Sequence, residues 1–115
     1  MATTSLPLNK FRLLNQVLNS GSNMIYSQSL DVSTIVLSSQ ITNVTSSIQL
    51  IDVYVVKSGS LAQATLLKSG SIPPNESMNP LAGKLVIERG DSLYIRTAYS
   101  GSLESALSVL ENANS

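Results

Sequence analysis

The chain of 115 residues has the length of one domain, and its seven basic and seven acidic side chains give a net charge of zero. It therefore lacks the basic excess with which proteins bind nucleic-acid phosphates, and its longest apolar run is far shorter than the roughly 20 residues of a membrane-spanning helix. Cysteine and histidine are absent, which excludes disulfides, thiolate nucleophiles and the commonest general base and metal ligand. We expect a soluble protein made in a cytoplasm, with no cofactor and with neither nucleic acid nor membrane among its partners.

The first nine residues form a segment without a core of its own. Its apolar cluster consists of Leu6, Pro7 and Leu8. Burial of a leucine stabilises by about 1.5–3 kcal/mol, whereas ordering one backbone residue costs roughly 1–2 kcal/mol. Residues 1–9 are therefore predicted to be an assembly arm that a neighbouring subunit orders. We expect a single domain over residues 10–111 and a flexible tail over residues 112–115.

The segments after the arm alternate mostly with the period of a β-strand. Phe11, Leu14 and Val17 also fit helical spacing, so the first segment has two interpretations. The alternation of the neighbouring segments favours strands. Strands are predicted over residues 11–18, 23–27, 34–42, 48–56 and 61–67.

Two of these strands have distinctive patterns. In 34–42, Ile35, Leu37 and Ile41 fall on one face and are predicted to point in the same direction. In the more apolar 48–56, the alternation changes phase, which indicates a β-bulge or a strand covered on both faces. A bulge or an edge position also explains the charged residue in this strand, Asp52, better than catalysis does.

Proline and glycine mark the connections. Residues 72–83 hold three of the four prolines, so they cannot form a central strand. This segment is predicted to be a long connection that crosses between sheets. The sequence Ser-Gly-Ser occurs four times at irregular spacing, which indicates turns and no structural repeat.

The tripeptide Arg-Gly-Asp at 89–91 is either a cell-adhesion ligand or a bend between two strands. The alternation on both sides predicts a β-hairpin with a three-residue loop, in which Gly90 takes the left-handed conformation. That register sets Leu85 opposite Leu93 and keeps the apolar faces in phase. We therefore predict a structural turn at Gly90 and Asp91 and no adhesive function.

The last segment, 103–110, is ambiguous. Leu103, Ala106, Leu107 and Leu110 match helical spacing at every position, whereas the alternating pattern matches less completely. We still predict a strand here, because a last strand can pair beside the one before it and close the sheet.

The fold class follows from these elements and from composition. Nine valines and eight isoleucines, with one phenylalanine and no tryptophan, predict a core of aliphatic side chains on strands. The predicted fold is all-β, a two-sheet antiparallel β-sandwich of jelly-roll or immunoglobulin-like type with about eight short strands.

No motif of catalysis is present. Without histidine, a nucleophilic serine needs a lysine or carboxylate base, yet neither Ser-x-x-Lys nor Gly-x-Ser-x-Gly occurs. Phosphate-binding glycine loops are absent, and the seven carboxylates form no Ca²⁺-loop pattern. We expect no catalytic site, no metal site and no enzyme activity.

Three parts of the sequence are distinctive: RLLNQVL with the following Tyr26, ITNVTSS at 41–47, and the C-terminal third, IPPNESMNPLAGKLVIERGDSLYIRT followed by LESALSVLE. These stretches resemble small virion structural proteins of tailed bacteriophages, especially marine and cyanobacterial phages. The similarity spans residues 12 to 111. The Gly-Asp of that group corresponds to Gly90 and Asp91.

This resemblance implies a β-sandwich with a passive role in the particle. The expected function is that of a non-enzymatic, multicopy structural protein at the neck or tail, or decorating the capsid surface. Its partners would be other virion proteins and copies of itself, and it would be made in the cytoplasm of the host bacterium. The alternative is a receptor- or carbohydrate-binding module of a phage fibre, for which Tyr94 and Tyr99 are the candidate stacking aromatics.

Overall fold

The computed structural model describes residues 9–27, 33–57, 63–81 and 85–112. Within these ranges the chain forms nine strands and no helix, which confirms the all-β prediction. The strands are β1 (Asn9–Val17), β2 (Gly21–Ser27), β3 (Ser33–Asn43), β4 (Gln49–Val56), β5 (Gln63–Ile72), β6 (Ser77–Met78), β7 (Leu85–Ile87), β8 (Ser92–Thr97) and β9 (Leu103–Asn112).

The strands form two antiparallel sheets. Sheet A has the order β1-β9-β3-β6, with β7 also paired to β3, and sheet B has the order β2-β8-β4-β5. Successive strands mostly alternate between the sheets, and only β4 to β5 is a connection between neighbours in one sheet. This order is that of a double-sheet jelly roll and not that of an immunoglobulin-like sandwich.

Both segments that also fit helical spacing are strands. β1 and β9 pair with each other over nine consecutive residues, and β9 also pairs with β3 on its other side. β9 is thus a central strand, and its inward residues Leu103, Leu107 and Val109 are fully buried. Pairing on both sides outweighs the helical periodicity of the segment.

In strand β3, the side chains point in directions that differ from the prediction. The register of β3 against β9 shifts between Val36 and Ser38, which marks a β-bulge. As a result Val36 and Ile41 both face the core, whereas Leu37 is exposed. The prediction that Ile35, Leu37 and Ile41 share a face is wrong, because a bulge reverses the alternation within the strand.

The core lies between the sheets and is almost entirely aliphatic. Tyr26 is the one aromatic residue of this cluster within the described ranges. The largest fully buried side chains are Leu18, Ile41, Ile51, Ile72, Ile87, Leu93, Ile95, Leu103 and Leu107.

The predicted hairpin around Gly90 is also wrong. β7 pairs with β3 in sheet A, whereas β8 pairs with β2 and β4 in sheet B. Leu93 accordingly lies opposite Tyr26 and Val55, not opposite Leu85. Both segments are strands, as their alternation predicts, but a turn of this kind can join strands of different sheets as well as neighbours in one sheet.

The ends of the described chain extend the pairing slightly beyond the predicted domain. Asn9 and Asn112 pair with each other at the ends of β1 and β9. The predicted arm residues Leu6, Pro7 and Leu8 lie outside the described residues, as do residues 113–115.

Candidate functional site

The Arg-Gly-Asp sequence forms a tight turn between the two sheets. The Asp91 amide donates a hydrogen bond to the Glu88 carbonyl at 3.0 Å, and Gly90 has φ of +85°. A type II turn requires a left-handed backbone conformation at the third of its four residues. Glycine adopts this conformation without steric cost.

The Asp91 carboxylate points into the protein from this turn. Its side chain is only 2% exposed and accepts hydrogen bonds from the Lys57 ammonium at 2.7 Å and the Glu88 amide at 3.1 Å. The Glu88 carboxylate contacts the same ammonium at 3.1 Å. An adhesive ligand must present its carboxylate to a receptor, so this geometry opposes adhesion. The two acidic neighbours raise the pKa of Lys57, with the Asp91 hydrogen bond as the largest cause.

The described carboxylates do not assemble into a cluster that could hold a metal ion. In the four described ranges no three of the residue types that ligate metals come together. Asp52 accepts a hydrogen bond from the Ser69 amide at 2.8 Å and lies 3.5 Å from the Arg96 guanidinium. It is adjacent to the register shifts between β4 and β5, as the interpretation of a bulge requires. No helix in the described part of the chain is long and apolar enough to cross a membrane.

The most distinctive surface is the outer side of sheet A. Residues directly opposite one another on antiparallel strands share a face, and one such row runs across four strands: Val86, Ile35, Leu110 and Phe11. Leu13 follows Phe11 on the same face of β1. Phe11 is 72% and Leu13 64% exposed. We call this surface the outer apolar face, defined by Phe11, Leu13, Leu37, Val86, Ile35 and Leu110.

The outer apolar face becomes polar toward the other end of the sheet. Asn15, Ala106 and Gln40 form one row, and Val17, Glu104 and Thr42 form the next. A shallow depression bounded by Phe11, Leu13 and Leu37 marks the apolar end. Such a shape is typical of a contact surface between proteins and not of a pocket that encloses a small molecule.

The outer side of sheet B is different, because its aromatic residues contact one another. Tyr54 and Tyr94 stack with ring centroids 5.2 Å apart, and the Arg96 guanidinium lies 5.1 Å from the Tyr54 ring. Tyr54 also donates a hydrogen bond to Ser22 at 2.7 Å. One face of Tyr94 is therefore occupied, and the second aromatic proposed for sugar stacking, Tyr99, lies after β8 and is exposed.

A cluster of polar side chains connects the two sheets at one end of the sandwich. The Tyr26 hydroxyl of sheet B contacts the Glu111 carboxylate of sheet A and lies 2.9 Å from the Thr34 hydroxyl. Arg12 contacts the same carboxylate at 3.2 Å. Burial, followed by the hydrogen bond to Glu111, raises the pKa of Tyr26 to about 12.

Sequence reasoning missed two asparagines that organise turns. Asn43 is fully buried, donates to the carbonyls of Ser47 and Ile72 at 2.7 and 2.9 Å, and accepts from the Thr45 amide. Asn23 is also buried and donates to the Asn19 and Ile95 carbonyls. The signal for Asn43 was its position between the end of an alternating segment and a Thr-Ser-Ser turn. Sequence reasoning also missed Phe11 and Leu13 as surface residues, because the alternation of a strand does not show which of its two faces is covered.

Comparison with known proteins gives a likeness of fold. The sequence matches no family model and no curated protein. A chain from the structure of Bacillus endospore appendages, described as a family of disulfide-linked pili, superposes with a TM-score of 0.57. The match covers 95% of this chain and 89% of that chain at 11% sequence identity. That chain belongs to a pilus and not to a phage, so the resemblance to virion proteins stays a prediction.

Proposed function

We propose that this protein is a non-enzymatic structural subunit that is present in many copies and assembles through protein–protein contacts, with copies of itself among its partners. The observation that carries the proposal is the outer apolar face, on which Phe11 and Leu13 are mostly exposed. Contiguous apolar surface of this kind marks a site of protein contact. A net charge of zero adds no electrostatic repulsion between copies.

The similar pilus chain supports this proposal at the level of fold. It shows that a sandwich of this kind serves as a subunit of a surface appendage. The contacts must differ in chemistry, however, since those pili are disulfide-linked and the present sequence contains no cysteine. Assembly of this protein would depend on apolar contacts and hydrogen bonds between chains.

The finer part of the proposal is a place in the virion of a tailed phage, at the neck or tail or on the capsid surface, after synthesis in the cytoplasm of the host. Its support is the resemblance of the stretches at 12–18 (with Tyr26), 41–47, 72–97 and 103–111 to small virion proteins.

Quantitative mass spectrometry of purified particles tests the function. We expect the protein in purified particles at a fixed stoichiometry, with several copies in each particle. Its absence from particles, together with a purely monomeric state in solution, would contradict the proposal. Sub-stoichiometric presence with sugar-dependent retention on glycan arrays would favour the receptor-binding alternative.

A further inference from the structure

The four edges of the two sheets are protected to very different degrees. Natural proteins blunt an edge strand with a bulge, a short length or charge, because its unpaired backbone groups can pair with another chain. In the described part of the chain, β2 has a register shift and β5 has two, together with a residue of positive φ, Ser69. The edge formed by β6 and β7 consists of strands of two and three residues.

Strand β1 is the exception among these edges. It has nine residues, it pairs with β9 without any register shift, and in the described residues its other side has no partner strand. It also carries the most exposed apolar side chains of the outer apolar face, Phe11 and Leu13. β1 also carries Lys10 and Arg12, but a long, regular edge that exposes large apolar side chains is suited to accept another strand.

We propose that the β1 edge binds the β1 edge of a second copy of this chain, in antiparallel orientation about a twofold axis at Leu13. This inference rests on the proposed function and adds the partner strand and its register. A twofold axis perpendicular to the sheet keeps both outer apolar faces on the same side. The two copies of sheet A then form one continuous sheet.

The register of the β1–β1 pair follows from the length of β1 and the positions of its charged side chains. Leu13 is the midpoint of β1, so centring the pair there allows all nine residues of each strand to pair. Arg12 then lies opposite Leu14 of the second copy, and Lys10 lies opposite its Gln16. Centring at Arg12 would set two guanidinium groups directly opposite one another, which is destabilising, and it would shorten the ladder.

The same register is self-complementary in its apolar contacts. Leu13 of each copy lies opposite Leu13 of the other, and each Phe11 is a diagonal neighbour of the opposite Leu13. The four side chains form one apolar cluster across the axis. This cluster would cover the side chains that are most exposed in the single chain.

Single-cysteine variants test the register directly, because the sequence contains no other cysteine. Leu13→Cys should form a disulfide with itself on oxidation with diamide, since opposite residues of antiparallel strands meet the Cα spacing of a disulfide. Phe11→Cys and Asn15→Cys should cross-link poorly alone but efficiently when mixed. Val86→Cys, exposed on the same face but remote from β1, is the matched control for random collision. On a non-reducing gel we expect several-fold more dimer for Leu13→Cys than for Val86→Cys.

A charge variant supplies the second measurement. Leu13→Lys places two ammonium groups on the axis and should abolish the dimer in sedimentation velocity, whereas Val86→Lys should retain it. Circular dichroism confirms that each variant keeps its β-sheet fold. Equal cross-linking of Leu13→Cys and Val86→Cys, or a wild-type protein that is monomeric at the highest soluble concentration, overturns the inference.

The alternative partner for the β1 edge is the segment of residues 1–8 from a neighbouring copy of the protein. If that segment paired with the edge, Leu13→Cys would cross-link no better than Val86→Cys in the full chain and would cross-link efficiently only after deletion of residues 1–8, a result that would overturn the pairing of β1 with β1. The two experiments separate the interface from the function. If the protein is present in particles at fixed stoichiometry but Leu13→Cys does not cross-link, only the β1 interface is contradicted. If Leu13→Cys cross-links but the protein is absent from particles, the β1 interface stands and the virion function is contradicted.

Discussion

At the scale of the residue, Gly90 and Asp91 illustrate how one turn uses two different properties. Gly90 supplies a backbone conformation, with φ of +85°, that a Cβ would strain. Asp91 supplies a carboxylate that is buried beneath the turn and paired with Lys57 at the end of β4. The turn therefore fixes the point at which the chain crosses from β7 in sheet A to β8 in sheet B, next to the end of β4.

Replacement of Gly90 with Ala should therefore lower the free energy of unfolding by about 1 kcal/mol, because alanine must adopt the left-handed conformation. Gly90→Asn should cost less, since asparagine tolerates positive φ better than other side chains. Urea denaturation measures both. Equal stability of the Ala variant and the wild type would show that the turn relaxes to another conformation.

Removal of the Asp91 carboxylate should be more damaging than removal of its acidic neighbour. Asp91→Ala leaves the Glu88 amide without its side-chain acceptor, and we expect a loss on the order of 1–3 kcal/mol. Glu88 is 71% exposed at the side chain, and Glu88→Ala should change stability by less than about 0.5 kcal/mol. The two thermal melts give the ranking, and the reverse ranking would contradict the assigned role of the buried carboxylate.

At the scale of the element, irregularities determine what each strand can contact. The bulge in β3 redirects Leu37 to the surface and keeps Val36 and Ile41 in the core. Register shifts in β2 and β5 protect two sheet edges, whereas β1 is regular along its whole length. Regularity at an edge is therefore informative, because it leaves a surface for another strand.

The turn between β3 and β4 depends on Asn43. This side chain donates to two backbone carbonyls, and its backbone amide donates to the Glu76 carbonyl at 2.8 Å. Asn43→Ala leaves both carbonyls without these donors, and we expect a loss of about 1–3 kcal/mol. Gln40→Ala, at an exposed position of the same strand, is the control and should be nearly neutral. Similar melting temperatures for the two variants would refute this role.

At the scale of the whole molecule, the sheets are joined mainly by aliphatic packing, to which the contacts of the Tyr26 hydroxyl add a polar connection. The raised pKa of Tyr26, about 12, means that folding favours the neutral phenol. Its contribution to stability is fully present below the ordinary tyrosine pKa of 10.0 and is lost as the pH rises through about 12.

Stability should consequently fall as the pH increases from about 10 to about 12, because the unfolded chain releases the Tyr26 proton first. The raised pKa of Lys57 acts in the same direction, since its charged form is favoured in the fold. Tyr26→Phe should flatten this part of the curve of unfolding free energy against pH. An unchanged slope in the variant would show that Tyr26 ionises with little linkage to folding.

The segment that precedes β1 gives a prediction about assembly. Deletion of residues 1–8 retains the first residue of β1 and should leave the melting temperature of the single subunit nearly unchanged, because two leucines cannot offset the cost of ordering the segment. Incorporation into particles should decrease, as measured by mass spectrometry. A large loss of subunit stability would instead indicate that Leu6 and Leu8 belong to the core.

The features that depend on local geometry can be predicted from the sequence. Alternation with period two locates most strands, since successive side chains of a strand point to opposite faces whatever the strand pairs with. The need for glycine at position 90 is local as well, because it arises from contacts of a side chain with its own backbone. The aliphatic core followed from composition, and the all-β class followed from these elements together.

The tertiary structure alone decided which strands pair and which faces are covered. β7 and β8 have the pattern of a hairpin but lie in different sheets: β8 pairs over six residues with each of β2 and β4, and β7 pairs with β3. Phe11 and Leu13 are exposed because they lie on the outer side of sheet A and because β1 is an edge strand, and no periodicity specifies either position. Pairing joins residues that are far apart in the chain, so its outcome depends on the competition among all strands and not on the pattern of any one.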